Sequence, residues 1–127
     1  MKILLIEPNK IMAKTYQAVL EKSSHVVTIR SGAQSAIFAI DESGADIIIL
    51  EPQLVGHSGI EFLYELRSYA DLQHIPVILH TFIPSEAFLG QMDILDTLGV
   101  FKYLYKPQTS LKELVKVVSS TAKPIAV

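Results

Sequence analysis

A chain of 127 residues with a net charge of −2 and half of its residues apolar fits a single globular domain with a full hydrophobic core. Its apolar runs stop far short of the roughly 18 residues of a membrane helix, Met1-Lys2 leads straight into one of those runs rather than into a signal region, and its Lys and Arg residues form no stripe for direct nucleic-acid contact. The absence of cysteine excludes disulfides, thiol nucleophiles and zinc–thiolate sites; a cytoplasmic protein is expected.

Short apolar runs alternate with segments of helical period along the whole chain, a βαβα pattern that predicts a parallel sheet. The first strand is expected at 2–7 and ends on an acid, Glu7. The following turn, Glu7-Pro8-Asn9-Lys10, has no glycine-rich phosphate loop and enters a helix near 9–22. A strand at 25–29 precedes a helix near 32–43, opened by a capping box, Ser31-x-x-Gln34. The third strand, 46–51, is the run Ile47-Ile48-Ile49-Leu50 closed by Glu51, and a helix follows near 59–70. Then come a strand at 76–81 ending on Thr81, a helix near 85–98, a strand at 101–105 running into Lys106-Pro107, and a helix near 110–121 with a second capping box, Ser110-x-x-Glu113. Continuous Ile/Leu/Val runs require burial on both faces, so helices cover both sides of a doubly wound five-stranded sheet with right-handed crossovers. Residues 1–121 are read as one domain and 122–127 as a C-terminal tail.

Four motifs stand in order: an acid ending the first strand, the segment from Asp46 to Leu63 with Glu51 after its apolar run, Thr81 ending the fourth strand, and Lys106-Pro107 after the fifth. Together they resemble a response-regulator receiver domain of two-component signalling, over about residues 2–121. The resemblance implies a flavodoxin-like sheet in the order 2-1-3-4-5, with a crevice at the carboxyl ends of strands one and three. It also implies a phosphate-acceptor aspartate at position 51 and a second acid at position 8, where this chain has Glu51 and Pro8.

Receiver chemistry needs a carboxylate nucleophile, a Mg²⁺ ion and a lysine and hydroxyl that bind the phosphoryl group. By resemblance the Mg²⁺ oxygens come from positions 8, 51 and 53. Pro8 has no side-chain oxygen, and Mg²⁺ demands near-octahedral geometry, so binding at Pro8, Glu51 and Gln53 is expected to be weak or absent, and no cofactor is assigned. The extra methylene of Glu51 displaces its carboxylate, and about 1 Å of misplacement can cost on the order of 10²-fold in rate. A Glu51–Lys106 ion pair is the leading structural expectation. Phe82, where the family usually has a small residue, is expected to crowd the entrance.

Tyr103, three residues before Lys106, matches the family's switch aromatic, or is simply one more strand aromatic beside Phe101 and Tyr105; strand alternation places these three on one face. On the 85–98 helix, Ala87, Phe88, Leu89, Met92, Ile94, Leu95 and Leu98 cover about 200° of the circumference at 100° per residue, more than one buried stripe needs. Phe88, Leu89, Met92, Ile94, Tyr103 and Tyr105 are therefore candidates for a surface where a protein partner or a second copy docks across helix 4, strand 5 and helix 5. The histidines, His25, His57, His74 and His80, lack metal-ligand spacing and are expected to be solvated or satisfied; His57, after Gly56, could add positive charge near the crevice at low pH.

Three classes of function stay open at this level: a phosphorylation-independent receiver that acts as an interaction module without enzyme activity, a phosphorelay receiver with Glu51 as acceptor, and a flavodoxin-like small-molecule binder or enzyme. The first fits the residues best, and no Ser/His/Asp order or G-x-S-x-G supports the last.

Overall fold

The computed structural model describes residues 1–54, 58–88 and 90–121, so the expectations for His57, Leu89 and the 122–127 tail lie outside the described residues. Five strands, β1 (Lys2–Ile6), β2 (Val26–Arg30), β3 (Ile47–Leu50), β4 (Val77–Thr81) and β5 (Val100–Tyr105), form one parallel sheet in the order β2-β1-β3-β4-β5. Helices α1 (Lys10–Lys22), α2 (Ala33–Ser43), α3 (Gly59–Ser68), α4 (Met92–Thr97) and α5 (Leu111–Thr121) connect and cover them. No helix among the described residues is long and apolar enough to cross a membrane.

Alternation along the strands divides the core in two. Leu4, Ile6, Ile48, Leu50 and Leu79 pack against residues of α2, α3 and α4, including Ile40, Phe62 and Leu95. Ile3, Leu5, Ile47, Ile49 and Ile78 pack against Ala13, Tyr16 and Leu20 of α1 and Leu114 and Val118 of α5. Because β1 and β3 are buried on both faces, their side chains can reach water only at the strand ends, and that is where the polar residues collect.

Local signals account for most helix starts. Asn9 caps α1 by accepting from the Met12 N–H at 3.0 Å, Ser58 caps α3 through the Glu61 N–H at 3.2 Å, and Ser110 accepts from the Glu113 N–H at 3.0 Å, as its motif predicts. The Ser31 capping box is not formed: Gly32 is the N-cap of α2 and makes no side-chain cap bond. Gly59 is required by contact, since a Cβ there would lie 2.4 Å from the Pro52 Cα, while its N–H donates to the Pro52 carbonyl at 2.8 Å.

The expected helix over 85–98 is instead a 3-10 turn, Ser85–Phe88, and the six-residue α4. Gly90 lies between them, and glycine is the poorest helix former after proline, so one apolar period is divided between two short elements. A register irregularity also shifts β5 against β4: Val77 pairs with Val100, but Ile78 pairs with Lys102. Tyr103 therefore joins Val100 against the α2–α4 side of the core, while Phe101 is left exposed, which corrects the expectation that residues 101, 103 and 105 share one face.

Candidate functional site

The parallel register sets Ile6 beside Leu50 and Leu50 beside Leu79, so Glu7, Glu51 and Thr81 emerge together at the carboxyl edge of the sheet. Lys106 enters the same space from the end of β5, on a 3-10 turn with Pro107 that is closed by the Thr109 N–H on the Lys106 carbonyl and the Thr109 hydroxyl on the Tyr105 carbonyl. All four residues are buried, Glu7 and Glu51 at 4% exposure each.

The expected Glu51–Lys106 ion pair is present at 3.6 Å, but it is the weaker of two. Lys106 Nζ donates to Glu7 Oε1 at 2.6 Å, and Glu7 Oε2 accepts the Asn9 N–H at 3.1 Å. The ammonium is thus drawn to the first-strand acid, whose second oxygen is satisfied by the turn after Pro8. Glu51 Oε2 has no hydrogen-bond partner. Burial pushes the Glu51 carboxyl above the usual carboxylate range and Glu7 adds to the rise, while the nearby Thr81 hydroxyl, Lys106 and the Phe82 backbone offset part of it. Thr81 Oγ1 itself accepts the Ile83 N–H at 3.1 Å.

Pro8 is half-buried and supplies no side-chain oxygen; Gln53 is exposed, with its backbone bridged to Ser58. Among the described residues no group of three or more His, Asp or Glu side chains is placed to hold a metal ion.

Two residues of this site were not among the sequence candidates. Tyr16 lies 4.7 Å, ring to ring, from His80 in an edge-on contact at 74°, and its ring centroid is 5.9 Å from Lys106 Nζ. Burial, with Glu7 and Glu51 nearby, pushes the Tyr16 hydroxyl up to about 12. His80 is buried with Nδ1 unpartnered, contrary to the expectation of a solvated or satisfied ring; burial, then the Lys106 charge, lowers it to about 4, so the imidazole is neutral at physiological pH. The available signals were the spacing of Tyr16 with Ala13 and Leu20 on one α1 face, and the alternation that puts His80 inward at the end of an apolar strand. His25 is satisfied, between the N-terminal ammonium and Ser119 at 3.2 Å each, and His74 is exposed.

Phe82 does stand at the entrance, half in solvent with its ring centroid 4.9 Å from Lys106 Nζ. The Tyr103 hydroxyl donates to the Ile83 carbonyl, and the ring packs edge-on against Phe88 at 5.8 Å. Phe88 is consequently buried, which corrects its assignment to an exposed docking surface. Met92 and Ile94 are exposed on α4, and Met92, Leu95, Asp96, Val100, Phe101, Lys102 and Tyr103 line a groove of about 220 Å³ beside β5. Tyr105 is half-buried.

The response regulator receiver domain family model matches residues 3–119. The sensory transduction protein RegX3 of Mycolicibacterium smegmatis is 31% identical over 113 residues, 89% of this chain and 46% of RegX3, so the chain spans about half the length of that relative. The polar-differentiation response regulator DivK of Brucella ovis is 29% identical over 106 residues, 83% of each chain. Among solved structures, the Vibrio cholerae chemotaxis protein CheY4 superposes with a TM-score of 0.83 at 18% identity, over 94% of this chain and 97% of that one, a likeness of fold. A parallel sheet in the order β2-β1-β3-β4-β5, with two acids, a threonine and a lysine gathered at its carboxyl edge, and a family match over nearly the whole chain make this protein a member of the response regulator receiver domain family of two-component systems.

Proposed function

We propose that this receiver domain is a phosphorylation-independent protein-interaction module without enzyme activity. The observation that carries the reading is the commitment of Lys106: the cation that would bind a phosphoryl group is held by Glu7 at 2.6 Å and by Glu51 at 3.6 Å. The residues also do not fit Mg²⁺. Both Glu7 oxygens are engaged, position 8 is proline, and the Glu51 carboxylate is drawn towards an ammonium, so an octahedral oxygen set has no second carboxylate. Without that charge neutralisation and with the nucleophile displaced by a methylene, phosphoryl transfer to position 51 is strongly disfavoured.

Binding through the α4–β5 side fits the exposed Met92 and Phe101, which line the groove beside β5, whereas the exposed Ile94 lies with Tyr64 on another face of α4. A protein partner or a second copy of the chain is the occupant this reading expects there; nucleic acid and membrane are not.

The test is a titration of Mg²⁺ with beryllofluoride into ¹⁵N-labelled protein, following the amides of Glu51, Thr81 and Tyr103. Unmoved peaks at millimolar ligand are expected. Saturable shifts that reach Tyr103 would overturn the reading in favour of a working phosphorelay switch. Labelling by acetyl phosphate is expected to appear only after Glu51→Asp is combined with Pro8→Asp.

A further inference from the structure

Helices of opposite charge cover the two faces of the sheet. On one face, α2, α3 and α4 together have six acidic residues and one basic residue; on the other, α1 and α5 have five lysines and two acids. All of these acids and lysines are exposed. The single base of the acidic face, Arg67, is turned inward: its guanidinium donates to the carbonyls of Leu98, Leu72 and Ile75 at 2.7, 2.9 and 2.6 Å. Each charged face also presents an apolar group. Tyr64 and Ile94, 55% and 39% exposed, line a groove of about 190 Å³ between α3 and α4, together with Asp93, Thr97 and Leu98. On the lysine face Ile11 is 81% exposed, next to Lys10 and one helical turn from Lys14 on α1. A single exposed apolar side chain is ordinary. A knob and a groove that lie in fields of opposite sign are complementary in both shape and charge.

We propose that the chain binds a second copy of itself head to tail, the α1–α5 face of one copy on the α3–α4 face of the next. Ile11 enters the Tyr64–Ile94 groove, with the lysines around it turned towards the acids of the neighbour. The two surfaces differ, so the contact is heterologous: it does not close into a twofold dimer, and it adds copies one after another as a ring or an open chain. It uses neither Lys106 nor Phe101, so it goes beyond the phosphorylation-independent reading and does not rest on it.

Sedimentation of the wild-type chain at submillimolar concentration and low ionic strength is expected to show concentration-dependent association. Salt at about 1 M, where the Debye length falls to about 3 Å, is expected to remove most of it. Ile11→Glu sets an acid against acids and Asp93→Lys a lysine against lysines; each is expected to weaken association about tenfold or more. Both positions are exposed, so both variants are expected to keep the wild-type urea midpoint. The decisive sample is an equal mixture of the two variants. Each retains one intact surface, and the intact surfaces are complementary, so the mixture is expected to regain association and to stop at a 1:1 pair. A wild-type chain that stays monomeric, association that salt leaves unchanged, or a mixture that stays monomeric would each overturn the proposal; the first would leave the acidic groove to a cationic partner of another kind. Association lost in Phe101→Glu but kept in both Ile11→Glu and Asp93→Lys would also overturn it, by assigning the contact to the groove beside β5. None of these readouts involves beryllofluoride, so the head-to-tail contact and the phosphorylation-independent reading fail separately.

Discussion

The ends of β1 and β3 place the same residue type at the same depth and treat it differently. Glu7 and Glu51 are equally buried, but Glu7 has an ammonium on one oxygen and a backbone N–H on the other, while Glu51 shares that ammonium at longer range and leaves one oxygen unpartnered. A carboxylate removed from water must recover its hydration from fixed donors, and the turn after Pro8 supplies one where the chain after β3 does not. Burial is thus a poor guide to what an acid contributes; its donors decide.

The most severe way to break this comparison is to remove the shared cation. Lys106→Met leaves two buried carboxylates without a counter-charge and is expected to cost about 3 to 5 kcal/mol at neutral pH, read by urea unfolding. Acidification is expected to recover part of that loss as Glu51, already shifted upward by burial, takes up a proton.

The next largest effect is acid lability from His80, which sits beneath the same lysine. Its folded value near 4 lies below the ordinary 6.5, so between these pH values the unfolded chain binds more protons and stability falls as pH drops. The contribution is complete above about pH 6.5 and is lost towards pH 4, by roughly 3 kcal/mol at most. Glu51, shifted upward, acts in the opposite sense: its contribution is present at low pH and is lost as pH rises through its folded value. Urea midpoints of His80→Leu across pH 4 to 7 are expected to lose the acid-side decline, and adding Glu51→Gln removes the opposing component.

Neutralising each acid in turn sharpens the contrast. Glu7→Gln breaks the short charge-assisted bond and is expected to cost about 2 to 3 kcal/mol. Glu51→Gln removes a poorly compensated charge and is expected to stay within about 1 kcal/mol of wild type in either direction. Equal losses at the two positions would refute the asymmetry. The smallest stability effect belongs to the opposite edge of the sheet: Phe101→Glu is expected to shift stability by less than about 0.5 kcal/mol while weakening whatever association the α4–β5 groove supports, as measured by sedimentation or titration with a partner.

The fold was legible because short apolar runs alternating with helical periods admit few architectures, and all five strands lie within a residue or two of their expected positions. The carboxyl-edge residues Glu7, Glu51, Thr81 and Lys106 were legible as a group, since each ends or follows a strand and a parallel sheet brings such ends together. The break at Gly90, the Gly32 cap and the shifted register of β5 were not, because helical period and capping motifs report local preference and leave out the packing that overrides it. Phe88 illustrates this: its position on an overly broad apolar stripe suggested exposure, and the end of that stripe at a turn folded it against Tyr103.

By itself, the sequence determined the strand and helix order, the two-sided burial of β1 and β3, and the loss of an oxygen ligand at Pro8, all consequences of residue type and spacing along one chain. Which acid holds Lys106, that Tyr16 and Phe82 flank it, and that the His80 Nδ1 and Glu51 Oε2 are left unpartnered were decided only by the tertiary structure. These depend on distances of a few ångströms between groups as many as 99 positions apart in sequence, and at that range a difference of 1 Å in a charge separation selects one ion pair over the other.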